Sequence, residues 1–181
     1  MDTKIETERN ITNIVLVGYM GTGKTAVGAR LAEMLQVEVV DTDDIIEEDS
    51  GMAISRIVAE MGGEHFRDLE CKAVEKVCKL NHHIISTGGG VVVRDKNIQN
   101  LKRTGLIFCL DATPEVIWQR VSHETHRPLL QVEDPIDRIR EMLIERKPLY
   151  DKADYKIDTS QLTVEQTAEK IVENFRREAI D

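Results

Sequence analysis

Short apolar runs alternate along the chain with segments in which apolar residues recur at helical spacing. The runs have the length of strands buried in a sheet, and we predict strands at residues 14–17, 37–40, 83–86, 106–110 and, more weakly, 155–158. The periodic segments predict helices over residues 25–36, 43–49, 54–61, 66–80, 95–102, 113 onward, 136–150 and 163–176. Strand and helix alternate five times, so the pattern predicts an α/β fold with a parallel sheet covered on both faces.

Composition narrows the class of protein. The chain has 181 residues, 33 acidic and 24 basic, and a formal charge of −9; this argues against duplex nucleic acid or an anionic membrane as a partner, because both attract basic surfaces. No apolar run approaches the ~20 residues that span a bilayer. The three cysteines form no Cys-x-x-Cys pair, and their odd number suits a reducing compartment. We expect a cytoplasmic monomer with one domain over residues 11–181 and a flexible tail over residues 1–10.

A glycine-rich loop follows the first predicted strand. Residues 18–25, Gly-Tyr-Met-Gly-Thr-Gly-Lys-Thr, match the pattern Gly-x4-Gly-Lys-Ser/Thr of a phosphate-binding loop. Glycines let backbone N–H groups surround a polyphosphate, and the following helix N-terminus adds unsatisfied donors. Lys24 can reach the β- and γ-phosphate oxygens, and the Thr25 hydroxyl can ligate Mg²⁺. The loop therefore predicts binding of a nucleoside triphosphate.

An acidic pair ends the second predicted strand. Asp41 and Asp43 are two residues apart, so in an extended segment their side chains point the same way. One carboxylate could support Mg²⁺ and the other could accept the proton of a hydroxyl that attacks the γ-phosphate. Asp43 is equally suited to cap the next helix. The position at the carboxyl end of a strand, where open α/β sheets bind ligands, favours the functional interpretation.

A run of three glycines and several arginines add candidate residues. Gly88–Gly90 follows the third predicted strand, and its bare backbone could hold a hydroxyl or an anionic group, although a tight turn is the alternative. Arginine suits carboxylates and transferring phosphoryl groups, but each one taken alone fits a surface position. The arginines that stand out are Arg67 (with Glu70 one helical turn later), Arg120, Arg127 and Arg146.

These motifs together resemble the shikimate kinase family. The ordered set is Gly18…Lys24-Thr25, Asp41-Thr42-Asp43, Phe66-Arg67-x-x-Glu70, Gly88-Gly89-Gly90, Arg127-Pro128-Leu129-Leu130 and Arg146-x-x-x-Tyr150. The resemblance runs from about Ile14 to the last helix. It implies a three-layer P-loop NTPase fold of the nucleoside-monophosphate-kinase-like type, with a five-stranded parallel sheet in the order 2-3-1-4-5. It also implies a helical substrate-binding region at about residues 43–70 and a lid at about residues 122–135.

The resemblance further implies a reaction and the residues that perform it. ATP and shikimate would give 3-phosphoshikimate and ADP, with Mg²⁺ as the cofactor and small molecules as the partners. Lys24, Asp43 and Arg127 would be catalytic, and Thr25 and Asp41 would hold the metal, the latter through water. Nucleotide would contact Gly21, Thr22, Gly23, Lys24, Thr25, Ala26, Arg120 and Arg127. Shikimate would contact Asp43, Arg67, Gly88, Gly89, Gly90 and Arg146.

Other functions and one departure remain to be considered. A related small-molecule kinase of the gluconate kinase type, or a nucleotide-dependent switch with slow hydrolysis, would also use the phosphate-binding loop. The switch leaves the paired aspartates and the ordered arginines unexplained. Family members often show Gly-Glu-x-x-Phe-Arg, whereas here Glu64 stands one residue nearer to Phe66, which leaves Glu64 without an assigned role.

Overall fold

The computed structural model describes residues 10–123 and 132–179. Five parallel strands form one sheet in the order β2-β3-β1-β4-β5, which confirms the order implied by the resemblance. The strands are β1 (Asn13–Val17), β2 (Glu38–Asp41), β3 (His83–Ser86), β4 (Gly105–Asp111) and β5 (Tyr155–Asp158). All of their carboxyl ends therefore lie at one edge of the sheet.

Helices connect the strands close to where the sequence predicts them. They are α1 (Lys24–Leu35), α2 (Thr42–Ser50), α3 (Ile54–Met61), α4 (Gly63–Val77), α5 (Asp95–Thr104), α6 (Pro114–Val121), α7 (Pro135–Tyr150) and α8 (Val164–Ala179), with a short 3-10 helix at Val91–Val93. Helix α7 continues through Pro148 to Tyr150. The N-cap positions of α6 and α7 hold Thr113 and Asp134, whose side chains accept backbone N–H bonds, and proline follows each of them, as favoured at a helix start.

The central strand β1 shows how the layers form. Its side chains alternate between the two faces of the sheet, because successive residues of a strand point in opposite directions. Val15 and Val17 pack into a core with residues of α4, α5, α6 and α7. Ile14 and Leu16 pack into a second core with residues of α1 and α8. The sheet is thus covered on both faces, as predicted, and the fold has three layers.

A small separate core stabilises the helices that follow β2. Ile46, Ile57, Phe66 and Ala73 are buried together, and they come from α2, α3 and α4. These helices form the region around residues 43–70 that the resemblance assigns to the substrate. Apolar contacts among the three helices therefore hold this region together, and Ile45 packs against both this core and the first main core.

Some predicted features fall on residues outside the described ranges. Arg127 and most of the lid predicted at residues 122–135 lie there, as does the predicted tail apart from Asn10. Within the described ranges, no helix combines the length and the apolar character that crossing a membrane requires.

Candidate active site

The phosphate-binding loop lies between β1 and α1 at the centre of the sheet edge. Gly21 and Gly23 have φ angles of 73° and 101°, a conformation that glycine adopts at little cost. The loop is stabilised by its own hydrogen bonds, since Thr22 Oγ1 donates to Tyr19 O at 2.8 Å and Lys24 Nζ donates to Gly18 O at 2.8 Å. No side chain in the part of the chain that the structure describes caps the start of α1. Its first N–H groups are therefore available to an anion.

A cavity of about 360 Å³ opens beside this loop. Most of the residues predicted to bind nucleotide or metal, or to act in catalysis, line this cavity, and residues of β3 and α6 line it as well. Thr22 is buried beneath the loop surface and is not part of the lining. The lining residues are Met20, Gly21, Gly23, Lys24, Thr25, Ala26, Asp41, Asp43, Ser86, Thr87, Gly88, Arg120 and Val121.

The acidic pair is arranged differently from the prediction. Helix α2 already begins at Thr42, so the two aspartates do not lie in one extended segment, and that argument was wrong. Asp41 caps the helix: its Oδ1 accepts the backbone N–H of Asp43 at 2.9 Å. The alternative that Asp43 is the cap is therefore also wrong. Both side chains nevertheless line the cavity, Asp41 from the end of β2 and Asp43 from the first turn of α2.

Burial makes the Asp43 carboxyl unusually basic. Desolvation raises its pKa from 3.8 to about 6, and the charges of Asp41 and Glu70 act in the same direction, while Lys24 opposes them. Asp43 Oδ1 is buried and has no hydrogen-bond partner among the described residues. A buried polar atom without a partner carries an energetic cost. An incoming hydroxyl or a cation-bound water would remove that cost.

Arg67 and Glu70 form the ion pair that their spacing predicts. Arg67 Nη1 lies 2.8 Å from Glu70 Oε2, and the Glu70 side chain is fully buried. Burial raises the pKa of Glu70, and the charge of Arg67 opposes the rise. The other carboxylate oxygen of Glu70 has no partner among the described residues. The Arg67 guanidinium also lies over the Phe66 ring at 5.0 Å, so it is held from two sides.

Close contacts explain two of the three consecutive glycines, Gly88 and Gly90. None of the three has a positive φ angle. A Cβ atom on Gly88 would lie 2.6 Å from Asp43 Oδ1, and one on Gly90 would lie 2.1 Å from Arg67 Nη1. The run therefore brings bare backbone against an acid and an arginine, as the sequence suggested, and a side chain at either position would displace them.

Helix α7 contributes Arg146 to the same place. Arg146 Nη1 donates to Gly89 O at 3.3 Å, and its guanidinium lies 5.9 Å from the centre of the Tyr19 ring. Tyr150, one turn further along α7, donates to the same carbonyl at 2.7 Å. The residues predicted to hold shikimate thus converge on the glycine run from α2, α4 and α7.

Arg120 joins the phosphate-binding loop to the end of β5. Its Nη1 donates to Gly21 O at 3.1 Å, and its Nη2 donates to Thr159 O at 2.9 Å. The Thr159 hydroxyl lies 3.0 Å from both Thr22 O and Asp111 O. Glu64 lies elsewhere: its exposed carboxylate pairs with Arg94 at 3.0 Å, which is a structural contact on the surface.

Three residues of the site had no role in the sequence analysis. Ser86, at the end of β3, is buried, lines the cavity, and its hydroxyl has no partner among the described residues. Thr159 is buried beside the phosphate-binding loop. Tyr150 was named only as the last residue of the motif Arg146-x-x-x-Tyr150 and was given no function. Ser86 stands two residues before the glycine run, and this position could have indicated it. The residues next to Thr159 and Tyr150 in the sequence give no sign of the distant contacts that these two side chains make.

The fold and the cavity define the class of protein. A parallel sheet in this strand order, with a phosphate-binding loop and an uncapped helix at its centre, defines a P-loop protein of the kinase type. The family model described as shikimate kinase matches residues 20–176. The chain belongs to the shikimate kinase family, and it is therefore a kinase, an ATP-dependent phosphotransferase.

Individual relatives agree with this assignment. The chain is 50% identical over 165 residues to the shikimate kinase of Thermodesulfovibrio yellowstonii, covering 91% of this chain and 95% of the relative. It superposes with a TM-score of 0.87 on a solved structure of shikimate kinase from Acinetobacter baumannii in complex with shikimate, at 36% identity, covering 96% of this chain and 97% of that one. The family, the fold class and the enzyme class predicted from the sequence are confirmed.

The gluconate kinase alternative is supported by a similarity of fold only. A gluconokinase from Sinorhizobium meliloti superposes with a TM-score of 0.60 over 95% of both chains, but at 16% identity. At that identity the likeness concerns the fold alone.

Proposed function

We propose that the protein transfers the γ-phosphoryl group of ATP to the 3-hydroxyl of shikimate, giving 3-phosphoshikimate and ADP on the route to chorismate and the aromatic amino acids. The observation that carries the proposal is the position of Gly88. It lines the same cavity as the phosphate-binding loop and lies directly against Asp43. A triphosphate on the loop and a hydroxyl beside Asp43 would therefore meet in one cavity.

The acceptor binds through charge and hydroxyl contacts. We call Asp43, Arg67, the Gly88–Gly90 run and Arg146 the acceptor region. Arg67 and Arg146 are the cations that hold the carboxylate of shikimate, since guanidinium groups match carboxylates in shape and charge. Asp43 and the backbone of the glycine run hold the ring hydroxyls. The acidic groups beside them favour an acceptor that presents hydroxyls and one localised anionic group.

Asp43 orients the attacking hydroxyl and accepts its proton. The new bond forms between the hydroxyl oxygen and the γ-phosphorus, the bond from that phosphorus to the β–γ bridging oxygen breaks, and the proton passes to the carboxylate. A pKa of about 6 leaves the carboxylate mostly ionised at neutral pH while keeping it basic enough to take a proton, which suits a general base. Positioning and charge neutralisation supply most of the rate in phosphoryl transfer.

The cavity suits Mg²⁺. Mg²⁺ prefers oxygen ligands and is commonly bound through one or two carboxylates together with substrate phosphates. Thr25 and Asp41 present such oxygens, and the partnerless oxygens of Asp43 and Ser86 could hold metal-bound water. When bound, the metal neutralises charge on the phosphates. Thr25 would ligate it directly and Asp41 would hold it through water.

Two cationic side chains act on the nucleotide. Lys24, which bonds to the loop carbonyls of Gly18 and Tyr19, would donate to the β- and γ-phosphates, and Arg120 would lie near the adenine. The Gly21–Ala26 backbone surrounds the phosphates. Arg127 stays a prediction as the lid residue that closes over ATP, as do the lid itself, the single domain, the cytoplasmic location and the monomeric state.

An ADP-release assay tests the proposal. Purified protein with Mg²⁺ and ATP should release ADP rapidly when shikimate is present, and slowly with gluconate or with no acceptor. Mass spectrometry should detect a singly phosphorylated shikimate. Turnover of gluconate instead would indicate the related kinase, and ATP hydrolysis that ignores every acceptor would indicate a switch; either outcome would overturn the proposal.

A further inference from the structure

The carbonyl of Gly89 accepts two hydrogen bonds from one face of α7. Tyr150 Oη donates to it at 2.7 Å and Arg146 Nη1 at 3.3 Å. The two side chains are four residues apart and so lie on the same side of the helix. The tyrosine bond is the shorter of the two. The position of Gly89 is therefore fixed mainly by Tyr150.

Gly89 also touches the phosphate-binding loop. A Cβ atom at this position would lie 3.4 Å from Gly18 O and 3.7 Å from Met20 N, which is ordinary van der Waals contact. Its neighbours Gly88 and Gly90 lie against Asp43 and Arg67. Gly89 therefore joins the acceptor region, to which it belongs, to the phosphate-binding loop and to α7, and a movement of Gly89 would affect all three.

The Tyr150 hydroxyl is a permanent donor. The side chain is 4% exposed, and burial raises the pKa of the phenol to about 12, although the charge of Arg146 and a side-chain hydrogen bond with Arg146 oppose the rise. The hydroxyl therefore keeps its proton at neutral pH. Without this hydroxyl, Arg146 would be the remaining side-chain donor to Gly89 O among the described residues. The Gly89 carbonyl and the carboxylate of the acceptor would then compete for the Arg146 guanidinium.

We propose that Tyr150 is a positioning residue: its hydroxyl holds the Gly89 carbonyl, and thereby leaves the Arg146 guanidinium aimed at the carboxylate of the acceptor. This inference rests on the proposed function, because it takes Arg146 as a receptor for that carboxylate. Tyr150 itself touches no reacting atom. Its effect passes through Gly89 to Arg146.

Steady-state kinetics of Tyr150→Phe test the inference. Loss of one hydrogen bond corresponds to a rise of about tenfold in the KM for shikimate, while the KM for ATP should stay within about twofold and kcat should fall less than the acceptor KM rises. Tyr155→Phe is the matched control, because it removes the same atom from a phenol that bonds to Glu178 near the C-terminus. It should leave both KM values unchanged.

A double-mutant cycle separates positioning from a merely structural role. In an Arg146→Ala background, Tyr150→Phe should no longer raise the KM for shikimate, because the group through which it acts is gone. The preference for shikimate over its methyl ester should also shrink in Tyr150→Phe. Equal loss of acid and ester, or a full effect that persists without Arg146, would overturn the inference.

A second variant keeps the test independent of folding. A ring-fluorinated tyrosine at position 150 preserves the aromatic packing but has a more acidic phenol. The KM of the fluorinated protein for shikimate should rise at the pH at which its more acidic phenol loses the proton. The KM of the wild type should not rise at that pH. An identical pH dependence of KM in the two proteins would overturn the inference. Wild-type turnover of shikimate decides the proposed function separately, so failure of one claim is distinguishable from failure of the other.

Discussion

The phosphate-binding loop and the acceptor region share a cavity but are built in different ways. The loop comes from eight consecutive residues, 18–25, and its side chains bond back to its own carbonyls. The acceptor region comes from α2, α4, the glycine run and α7. Asp43 in this region and Glu70 beside it each have a buried carboxylate oxygen without a partner among the described residues. The nucleotide half is therefore formed mostly by one local segment, whereas the acceptor half is assembled from segments far apart along the chain.

The largest effect should come from the locally built half. Lys24→Ala removes the cation that neutralises the phosphates, and kcat should fall by at least about 1,000-fold, as measured by ADP release with saturating shikimate. Lys96→Ala, which removes an exposed lysine paired with Glu75, is the control and should behave as wild type. Near-normal turnover in Lys24→Ala would refute the assignment of the loop.

Asp43→Asn should be the most damaging change in the acceptor half. Loss of the proton acceptor should lower kcat by about 100-fold or more. In the wild type, the rate should rise with pH through about 6, as the carboxyl with its raised pKa ionises, and this limb should be missing in the variant. A variant that keeps the limb would show that another group produces it.

The same substitution should increase stability at neutral pH. Because the pKa of Asp43 is raised from 3.8 to about 6 on folding, the folded protein holds this proton more tightly than the unfolded chain between those values, and stability from this group is lost as pH rises through that window. The melting temperature of Asp43→Asn relative to wild type should therefore be higher near pH 7 than near pH 4. A constant difference would contradict the raised pKa.

Gly90→Ala tests whether close contact is the reason for the glycine run. The new methyl group would lie 2.1 Å from Arg67 Nη1, so the guanidinium must move, and the KM for shikimate should rise by about tenfold or more. Gly63→Ala is the matched control, because nothing lies within 4 Å of its added Cβ and alanine favours a helix over glycine. That control should keep full activity with equal or greater stability.

Glu70→Gln should produce the smallest of these changes in the pH–rate profile. The charge of Glu70 helps to raise the pKa of Asp43, so the acidic limb of the pH–rate profile should move to lower pH, by less than about one unit. Glu75→Gln, on an exposed position of the same helix, should not move it. A shift to higher pH would show that the electrostatic coupling has the opposite sign.

The two halves also differ in how far the sequence predicts them. The phosphate-binding loop could be predicted because all of its residues are adjacent, and the buried strands because their apolar runs are short and bounded. The pairing of Arg67 with Glu70 followed from helical spacing. These features depend on interactions within a few residues, which a pattern along the chain can report.

The rest depends on contacts between distant segments. Asp41 and Asp43 line one cavity, as predicted, but the local structure predicted for them was wrong. The two residues were expected in one extended segment, whereas Asp41 caps a helix that begins at Thr42. The contact of Tyr150 with Gly89 spans 61 positions, and that of Thr159 with Thr22 spans 137. No periodicity encodes such pairs, so only the folded chain reveals them.

The bond network of Arg120 and Thr159 has a consequence for biosynthesis. The carbonyls of Gly21 and Thr22 find their partners on residues that leave the ribosome long after them. A nascent chain that ends before the last strand lacks Thr159, although its glycine-rich motif is already complete. We therefore expect nucleotide affinity to be among the last properties that the growing polypeptide acquires, once residue 159 has emerged from the exit tunnel.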